Sequence, residues 1–539
     1  MLIPLLRWLD DVPPHMWEVP GVRQNKRNNG FRVPMNALPL MGMENPYPNS
    51  GAEMLRRVLH QEHVHDWVRG FLMEHQQKIL EKALPRTGFS GWAPPGSGKT
   101  LVGILWASAD SGAKVVITKA AARGTWKEEI RKYTSFQPVI LQGQDARPFQ
   151  PKKDCIYITG WETLTYWKDA LLRMKISSLI MDEVHWAKNH KRVKGVILPN
   201  GSTKWEDLPN TAAAAFRIAQ SAKRRLGLTA TPIPNRPRDL WAQLDLVEPW
   251  QWGSFHDFGV RHCGGYKDTY GWKYDGLTNK EELQTRLKWS KHKTTQQALN
   301  AALPEKRRQV VYLDLEEQNA PSSFRQDIQR AGKTRDKENM FEVMLQEAAS
   351  RKRKYVIDRV QTAIMSKQKV VVFTGRRKDC ERLGADIIKK LHSDVPVWCS
   401  HGGTSADARD TIRHEYMACE YGVLVGTGDA WGESVNLQDT DLALFVMLPW
   451  TPRSIGQWEG RFARLGQKRP VLISYIIAAG TVDEHVAELL MDKLPAVGEV
   501  AEDEVIREVE GAFSGSEEDL LDRVSSLFPT RPLDTCYTG

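Results

Sequence analysis

The chain has 539 residues, 75 Lys+Arg against 66 Asp+Glu, a formal net charge of +9 and 41% hydrophobic residues. This is globular rather than disordered composition, long enough for roughly two to four domains at ~100–200 residues each. It holds no run of about 18 apolar residues, so no membrane-spanning helix is expected.

The opening MLIPLLRWLDD has too short an apolar stretch for a leader, and two acids follow it. Six cysteines are scattered (Cys155, Cys263, Cys380, Cys399, Cys419, Cys536) with no C-x-x-C. That spacing argues against a disulfide framework or a zinc site and for a reducing compartment. Charge is uneven. Glu499 to Arg523 carries ten acids and two bases, a segment charge of −8, which leaves +17 for the remainder. A basic body suggests a polyanionic partner, most often nucleic acid.

Residues 1–68 are rich in Pro, Asn and Trp with little periodicity, and are expected to form an irregular extension. Residues 69–249 alternate short β-branched runs (VVIT at 115–118, CIYIT at 155–159, SLIMDE at 178–183, RRLGLTAT at 224–231) with helical stretches. That alternation predicts βαβ units on a parallel sheet. Residues 250–366 are expected to be an insertion, aromatic and Gly-rich first, then helical, with the basic run Arg351-Lys352-Arg353-Lys354. A second α/β series spans 367–490, with strand-like runs at 369–375, 395–400, 421–428, 442–449 and 471–478. Residues 491–539 form an acidic tail with one short helix expected around Glu517–Leu527. No repeat of 20–50 residues is present, which excludes a solenoid.

The strongest local signal is Ala93-Pro94-Pro95-Gly96-Ser97-Gly98-Lys99-Thr100, a phosphate-loop pattern with Ala at the first glycine position. Gly96 and Gly98 let backbone N–H groups turn onto phosphate oxygens, Pro95 and Ser97 lie within the same loop, Lys99 reaches the β- and γ-phosphates, and the Thr100 hydroxyl can bind Mg²⁺. LVGILWASA follows as the helix facing the phosphates. Gly332-Lys333-Thr334 is a decoy, lacking a nearby preceding glycine. About 80 residues beyond the loop, Leu179-Ile180-Met181-Asp182-Glu183 puts two carboxylates at the end of an apolar strand, the sheet edge where α/β proteins bind ligands. Asp182 would hold Mg²⁺ and Glu183 would orient and deprotonate the attacking water. Arg461 and Arg464 lie three apart in the second unit, so placed that they could face a nucleotide held by the first. His60, His63, His65 and His75 fit no zinc spacing.

Together these residues resemble a helicase superfamily two ATPase of the Swi/Snf type. The resemblance runs from about Phe71 to Leu490. Leu72-Met73-Glu74-His75-Gln76 is similar to the adenine-reading motif, with Gln76 as the base contact. Trp126-Lys127-Glu128-Glu129 resembles W-x-x-E. Ile158-Thr159-Gly160-Trp161-Glu162 resembles I-T-S-Y-E, with Gly160 in place of serine. Asp182-Glu183-Val184-His185 with Lys188-Asn189 has the D-E-x-H-x-x-K-N form. Gly227-Leu228-Thr229-Ala230-Thr231-Pro232-Ile233-Pro234-Asn235, then Asp239-Leu240-Trp241, resembles the Swi/Snf L-T-G-T-P-I-Q-N…E-L-W signature. Trp450-Thr451-Pro452, Gln457, Arg461, Arg464 and Gly466-Gln467 follow the register of W-N-P…Q-x-x-x-R-x-x-R-x-G-Q. Ala430-Trp431-Gly432-Glu433-Ser434 departs from A-G-G-x-G, since Trp431 and Ser434 replace glycines. Residues 258–306 resemble the compact annealing-helicase branch.

The resemblance implies an α/β chain of two tandem RecA-like parallel-sheet lobes with a mostly helical insertion between them. It implies a nucleic-acid-stimulated ATPase that uses ATP and Mg²⁺ and moves on or remodels DNA. Thr118, Lys119, Thr159 and Thr427 stand where the family touches phosphate. Expected partners are duplex, forked or single-stranded DNA, with RNA still open and no membrane. The compartment is the cytoplasm in a prokaryotic or phage-infected cell, or the nucleus in a eukaryote. Two alternatives stand beside this. One is a strand-separating DNA or RNA helicase, for which residues 250–300 are the wedge candidate. The other is a non-catalytic nucleic-acid clamp.

Overall fold

The computed structural model describes residues 6–9, 11–24, 30–43, 50–143, 150–187, 193–197, 203–230, 232, 237–269, 271–274, 276–294, 306–313, 337–431, 437, 439–448, 458–462, 470–479, 481 and 483. Arg464, Gly332-Lys333-Thr334, Lys188-Asn189, Ser434 and the tail 491–539 lie outside them. The chain divides into two units, at Met1–Ala302 and Leu303–Glu502.

In the first unit the strands are β1 (Leu6–Leu9), β2 (Arg23–Gln24), β3 (Phe31–Pro34), β4 (Gly88–Trp92), β5 (Ala113–Thr118), β6 (Gln137–Ile140), β7 (Cys155–Gly160), β8 (Ile176–Asp182), β9 (Val193–Ile197), β10 (Thr203–Asp207), β11 (Arg224–Thr229), β12 (Tyr266–Asp268), β13 (Gly271–Lys273) and β14 (Lys291–Lys293). Seven form an all-parallel sheet in the order β14-β4-β11-β8-β5-β7-β6. Parallel strands covered on both faces need apolar side chains on both, and β5 supplies them. Val116 joins Ile158, Ile180 and Leu228 against Ile104, Trp126 and Ile130. Val115 and Ile117 join Leu179 and Met181 against Leu164, Trp167 and Ile218 on the other face. The expected strands at 115–118, 155–159, 178–183 and 224–231 are all present, within a few residues at each end.

The N-terminal residues are more ordered than their sequence suggested. β1, β3 and β2 pair antiparallel, and Val12, Met16, Val22, Phe31, Val33 and Leu38 form a small core with Trp289 against it. Beneath it lies a buried polar knot. Arg286 donates to Asn36 Oδ1 (3.1–3.2 Å) and to the Gln251 carbonyl (2.6 Å), and Asn36 Nδ2 reaches Glu248 Oε2 at 3.4 Å. Burial pushes the Glu248 carboxyl up from its usual range and the Arg286 guanidinium down to about 10. Buried charges of this kind persist only when paired, so the extension is locked to the helix Lys280–Ser290.

The second unit holds β15 (Lys306–Leu313), β16 (Lys369–Thr374), β17 (Val397–Ser400), β18 (Gly422–Thr427), β19 (Leu442–Phe445) and β20 (Val471–Ala478), a parallel sheet in the order β15-β20-β19-β16-β18-β17. The described elements of 250–366 are thus shared between the sheets. β14 joins the first beside β4, and β15 and the helix Lys337–Met365 belong to the second unit. The basic run on that helix is only partly solvated, with Lys354 exposed and the other three paired. Lys352 is buried with its Nζ on Asp483 Oδ2 (2.5 Å) and the Ile476 carbonyl (3.1 Å), Arg351 pairs with Glu347, and Arg353 with Asp386. Among the described residues no helix is long and apolar enough to cross a membrane.

Candidate active site

The phosphate loop leaves the end of β4 and enters the helix Lys99–Ser108. Gly96 (φ +80°) and Gly98 (φ +75°) are left-handed, the conformation that needs glycine and turns the backbone inward. Lys99 Nζ donates to the Ala93 and Pro94 carbonyls, at 2.9 and 3.2 Å, so its ammonium lies over the loop. Thr100 is in the first turn of the helix and half-buried. Gln76 is buried, taking a hydrogen bond from the Met73 N–H (3.1 Å) and donating to the Ser97 carbonyl (3.0 Å). His75 Nε2 reaches the same carbonyl at 2.8 Å. The sequence grouped His75 with three ordinary histidines, yet it braces the phosphate loop.

Asp182 ends β8, and Thr118 ends the neighbouring β5. Asp182 Oδ2 accepts from Thr118 Oγ1 and from Trp126 Nε1, both at 2.9 Å, and the Asp182 carbonyl accepts from Trp161 Nε1 at 2.8 Å. Burial first, then the Glu183 carboxylate, push the Asp182 carboxyl up; Trp126, Lys99 and Thr118 oppose that shift. Glu183 has φ +52°, a conformation uncommon outside glycine, which turns it out of the strand. Its Oε2 lies 3.3 Å from His185 Nδ1, which is 2.9 Å from Thr229 Oγ1 at the end of β11. The Thr229 carbonyl accepts from the Ala93 N–H at 3.1 Å. A chain of contacts therefore links Glu183 to the start of the phosphate loop.

Trp126 and Trp161 are the residues sequence reasoning missed. Both are buried, and their indole N–H groups hold Asp182 in place. The only available signal was that each lies within a family-like motif. Packing reinforces the arrangement, since a Cβ at Gly103 would come within 2.8 Å of the Trp126 ring.

The four residues expected at a nucleic-acid phosphate are all buried: Thr118 and Thr159 fully, Thr427 at 4% and Lys119 at 6% exposure. The Thr118 hydroxyl donates to Asp182 Oδ2. The Lys119 ammonium lies 4.4 Å above the Trp186 ring, a cation–π contact beside the acidic pair. Thr118 and Thr427 end β5 and β18, which belong to different sheets, Thr159 lies one residue before the end of β7, and Lys119 follows β5.

In the second unit Arg461 is buried, and its backbone is fixed at both ends: its N–H donates to Trp458 O and its carbonyl accepts from Leu437 N, each at 3.1 Å. Trp458 stacks on Phe373 and Phe445, with centroids 5.3 and 5.8 Å apart. Neighbouring Glu459 takes both Arg308 nitrogens at 2.5 Å and the Tyr475 hydroxyl at 2.6 Å. Trp431, which replaces a family glycine, is fully buried in the core, and a Cβ on Gly426 would come within 2.2 Å of its ring.

The chain matches three family models: the type III restriction enzyme, res subunit, over residues 70–234, the SNF2-related domain over 207–373, and the helicase conserved C-terminal domain over 351–466. It is 27% identical over 457 residues to the SWI/SNF-related matrix-associated actin-dependent regulator of chromatin subfamily A-like protein 1 of Xenopus laevis, covering 81% of this chain and 45% of that one. It is 25% identical over 459 residues to the human DNA annealing helicase and endonuclease ZRANB3, covering 80% and 40%. The chain thus spans about half the length, or less, of these curated relatives. Among solved structures, S. cerevisiae Dbp5 bound to RNA and ADP BeF3 matches with a TM-score of 0.50 at 12% identity, covering 85% of this chain and 97% of that one. That likeness is one of fold, two tandem RecA-like α/β units.

Proposed function

We propose that this chain, which belongs to the Swi/Snf type of helicase superfamily two, is a DNA-stimulated ATPase that couples ATP hydrolysis to movement on DNA or to its remodelling by annealing or branch migration. The observation that carries the reading is the continuous set of contacts from Lys99 and the phosphate loop through Thr229 and His185 to Glu183, with Asp182 held beside it.

In this reading the backbone of Gly96 to Gly98 and Lys99 bind the phosphates. Glu183, turned out of the strand by its backbone, accepts the proton of the attacking water. The Asp182 carboxylate and Thr100 hydroxyl are hard oxygen ligands of the kind Mg²⁺ takes. The fit is supported by Asp182, whose carboxyl is pushed up beside Glu183 and whose Oδ2 takes both side-chain hydrogen bonds. When bound, the cation offsets phosphate charge. Arg461 and Arg464 would stabilise charge on the transferring phosphoryl group. Gln76 would read adenine beside His75, both side chains being anchored on the Ser97 carbonyl.

DNA recognition in this reading is mostly by backbone, so affinity falls steeply with salt, with a slope of about −0.9 per phosphate neutralised on duplex DNA. The test is phosphate release measured with blunt duplex, forked DNA, single strands and RNA. Stimulation by DNA supports the reading; none by any nucleic acid leaves a clamp instead. Triplex displacement beside strand separation and strand annealing then identifies the movement.

A further inference from the structure

The β12–β13 hairpin carries features that the ATPase reading does not use. β12 and β13 pair antiparallel, with Tyr266 opposite Lys273 and Lys267 opposite Trp272. Opposed residues share a face, and successive residues alternate faces. Each face of the ribbon therefore bears one aromatic ring beside one ammonium group, and the face of Tyr266 also carries Asp268, whose carboxylate lies 3.9 Å from Lys273 Nζ. Both rings are solvent-exposed, Tyr266 at 59% and Trp272 at 46%.

The support beneath Trp272 is rigid. Its ring lies parallel to that of Tyr274 (5°, 6.2 Å) and edge-on to His256 at 4.6 Å. His256 Nδ1 is 2.7 Å from the Tyr274 hydroxyl, and Tyr274 belongs to the core with Trp241, Trp252 and Phe258. The helix Phe255–His262 is capped by Ser254, whose hydroxyl takes the Asp257 N–H at 3.1 Å. Gly265 brings the chain hard against this base, since a Cβ there would lie 2.9 Å from Tyr274. A rigid base is not needed for two rings that only face water, and exposing both costs apolar burial.

Aromatic rings interleaved with lysines are the chemistry of sites that stack unpaired bases and hold the adjoining phosphates. A duplex offers stacking rings only at its ends or junctions, because its internal bases are already stacked. We propose that this hairpin is a base-stacking site for single-stranded DNA at a junction, where Tyr266 and Trp272 each take an unpaired base and the exposed Lys267 a flanking phosphate. This rests on the DNA-stimulated ATPase reading and adds to it a means of distinguishing a fork from a plain duplex.

The experiment uses the full chain and compares dissociation constants for a forked DNA and a blunt duplex of equal length, with 2-aminopurine at the first unpaired position. The expected result is tighter binding of the fork, by about 10-fold or more as the loss of a stacked base would read, with a change in 2-aminopurine fluorescence. In the double variant Tyr266→Ala, Trp272→Ala that preference collapses to parity. The variant Trp272→Phe keeps it, which separates stacking from misfolding. Equal affinity of the wild type for fork and duplex, or a preference retained by the double variant, overturns the inference. ATPase stimulation by blunt duplex is followed in parallel with wild type. If duplex stimulates turnover but the fork is not preferred, only the hairpin assignment fails. If no DNA stimulates turnover, the underlying reading fails and takes the hairpin with it.

Discussion

The two parallel sheets are built alike and end differently. At the carboxyl edge of the first, β5, β8 and β11 finish in Thr118, Asp182 and Thr229, polar groups tied by hydrogen bonds to tryptophan N–H groups, a histidine and the phosphate loop. In the second, β16 and β19 finish among Phe373, Phe445, Trp458 and Phe462, a stack of rings with centroids 5.0–5.8 Å apart. One edge is arranged to handle charge. The other is arranged to hold a backbone, that of Arg461, in one place. The strand ends themselves are not the difference, since β16, β17 and β18 also finish in Thr374, Ser400 and Thr427; the difference lies in the acidic pair and histidine of the first edge and the ring stack of the second.

The sharpest way to break this contrast is to exchange its terms. If the second unit acts through its arginines, Arg464→Ala should lower turnover by about 10³–10⁵ while a fluorescent nucleotide still binds. Loss of nucleotide binding instead would mean the second unit holds the ground state. Next in size, Lys99→Ala and Glu183→Gln should each lower turnover by about 10²–10⁴ with unchanged circular dichroism and melting; full activity in either sinks the assignment of the first edge.

Smaller effects separate support from chemistry. Trp458→Ala should destabilise the second unit by about 3–5 kcal/mol, seen as an earlier transition in urea. Trp126→Phe keeps the ring but removes the donor to Asp182, and should cost about 1.5–3 kcal/mol together with a marked fall in turnover. Equal kinetic losses in both would erase the distinction.

The smallest effect is a pH dependence at the far edge of the first sheet. His292 in β14 is mostly buried, and burial, Lys82 and Lys291 hold its pKa down to about 4. The native state therefore keeps the ring neutral where the unfolded chain binds a proton. Stability should be full above about pH 6.5 and fall as pH drops toward 4, by about 1–2 kcal/mol once solvent screening is counted. His292→Gln should flatten that slope in denaturant titrations.

Much of this was legible in the residues. Strands such as KVVVFT and the phosphate loop announce themselves because a buried parallel strand must be continuously apolar and a phosphate cradle must turn on glycine. The order of Lys99, Asp182 and Glu183 located the first edge. What stayed hidden depends on distant partners. Lys352 looks like part of a solvated run because nothing local reveals Asp483, 131 positions away, as its counter-ion. Trp126 reads as an anchor because its N–H acceptor is on another strand. Thr118 reads as a surface contact because burial at a strand end depends on what covers it. Lys291-His292-Lys293 has no apolar alternation at all, so its pairing with β4 could not be read.

That last strand has a mechanical consequence. The chain that leaves the first unit toward residue 306 does so from β14, which runs parallel to β4 with Lys293 opposite Trp92 and with the Thr294 N–H on the Trp92 carbonyl at 2.8 Å. Tension on the connecting chain is therefore delivered at Trp92, one residue before Ala93. A load arriving through that chain would be met first beside the start of the phosphate loop.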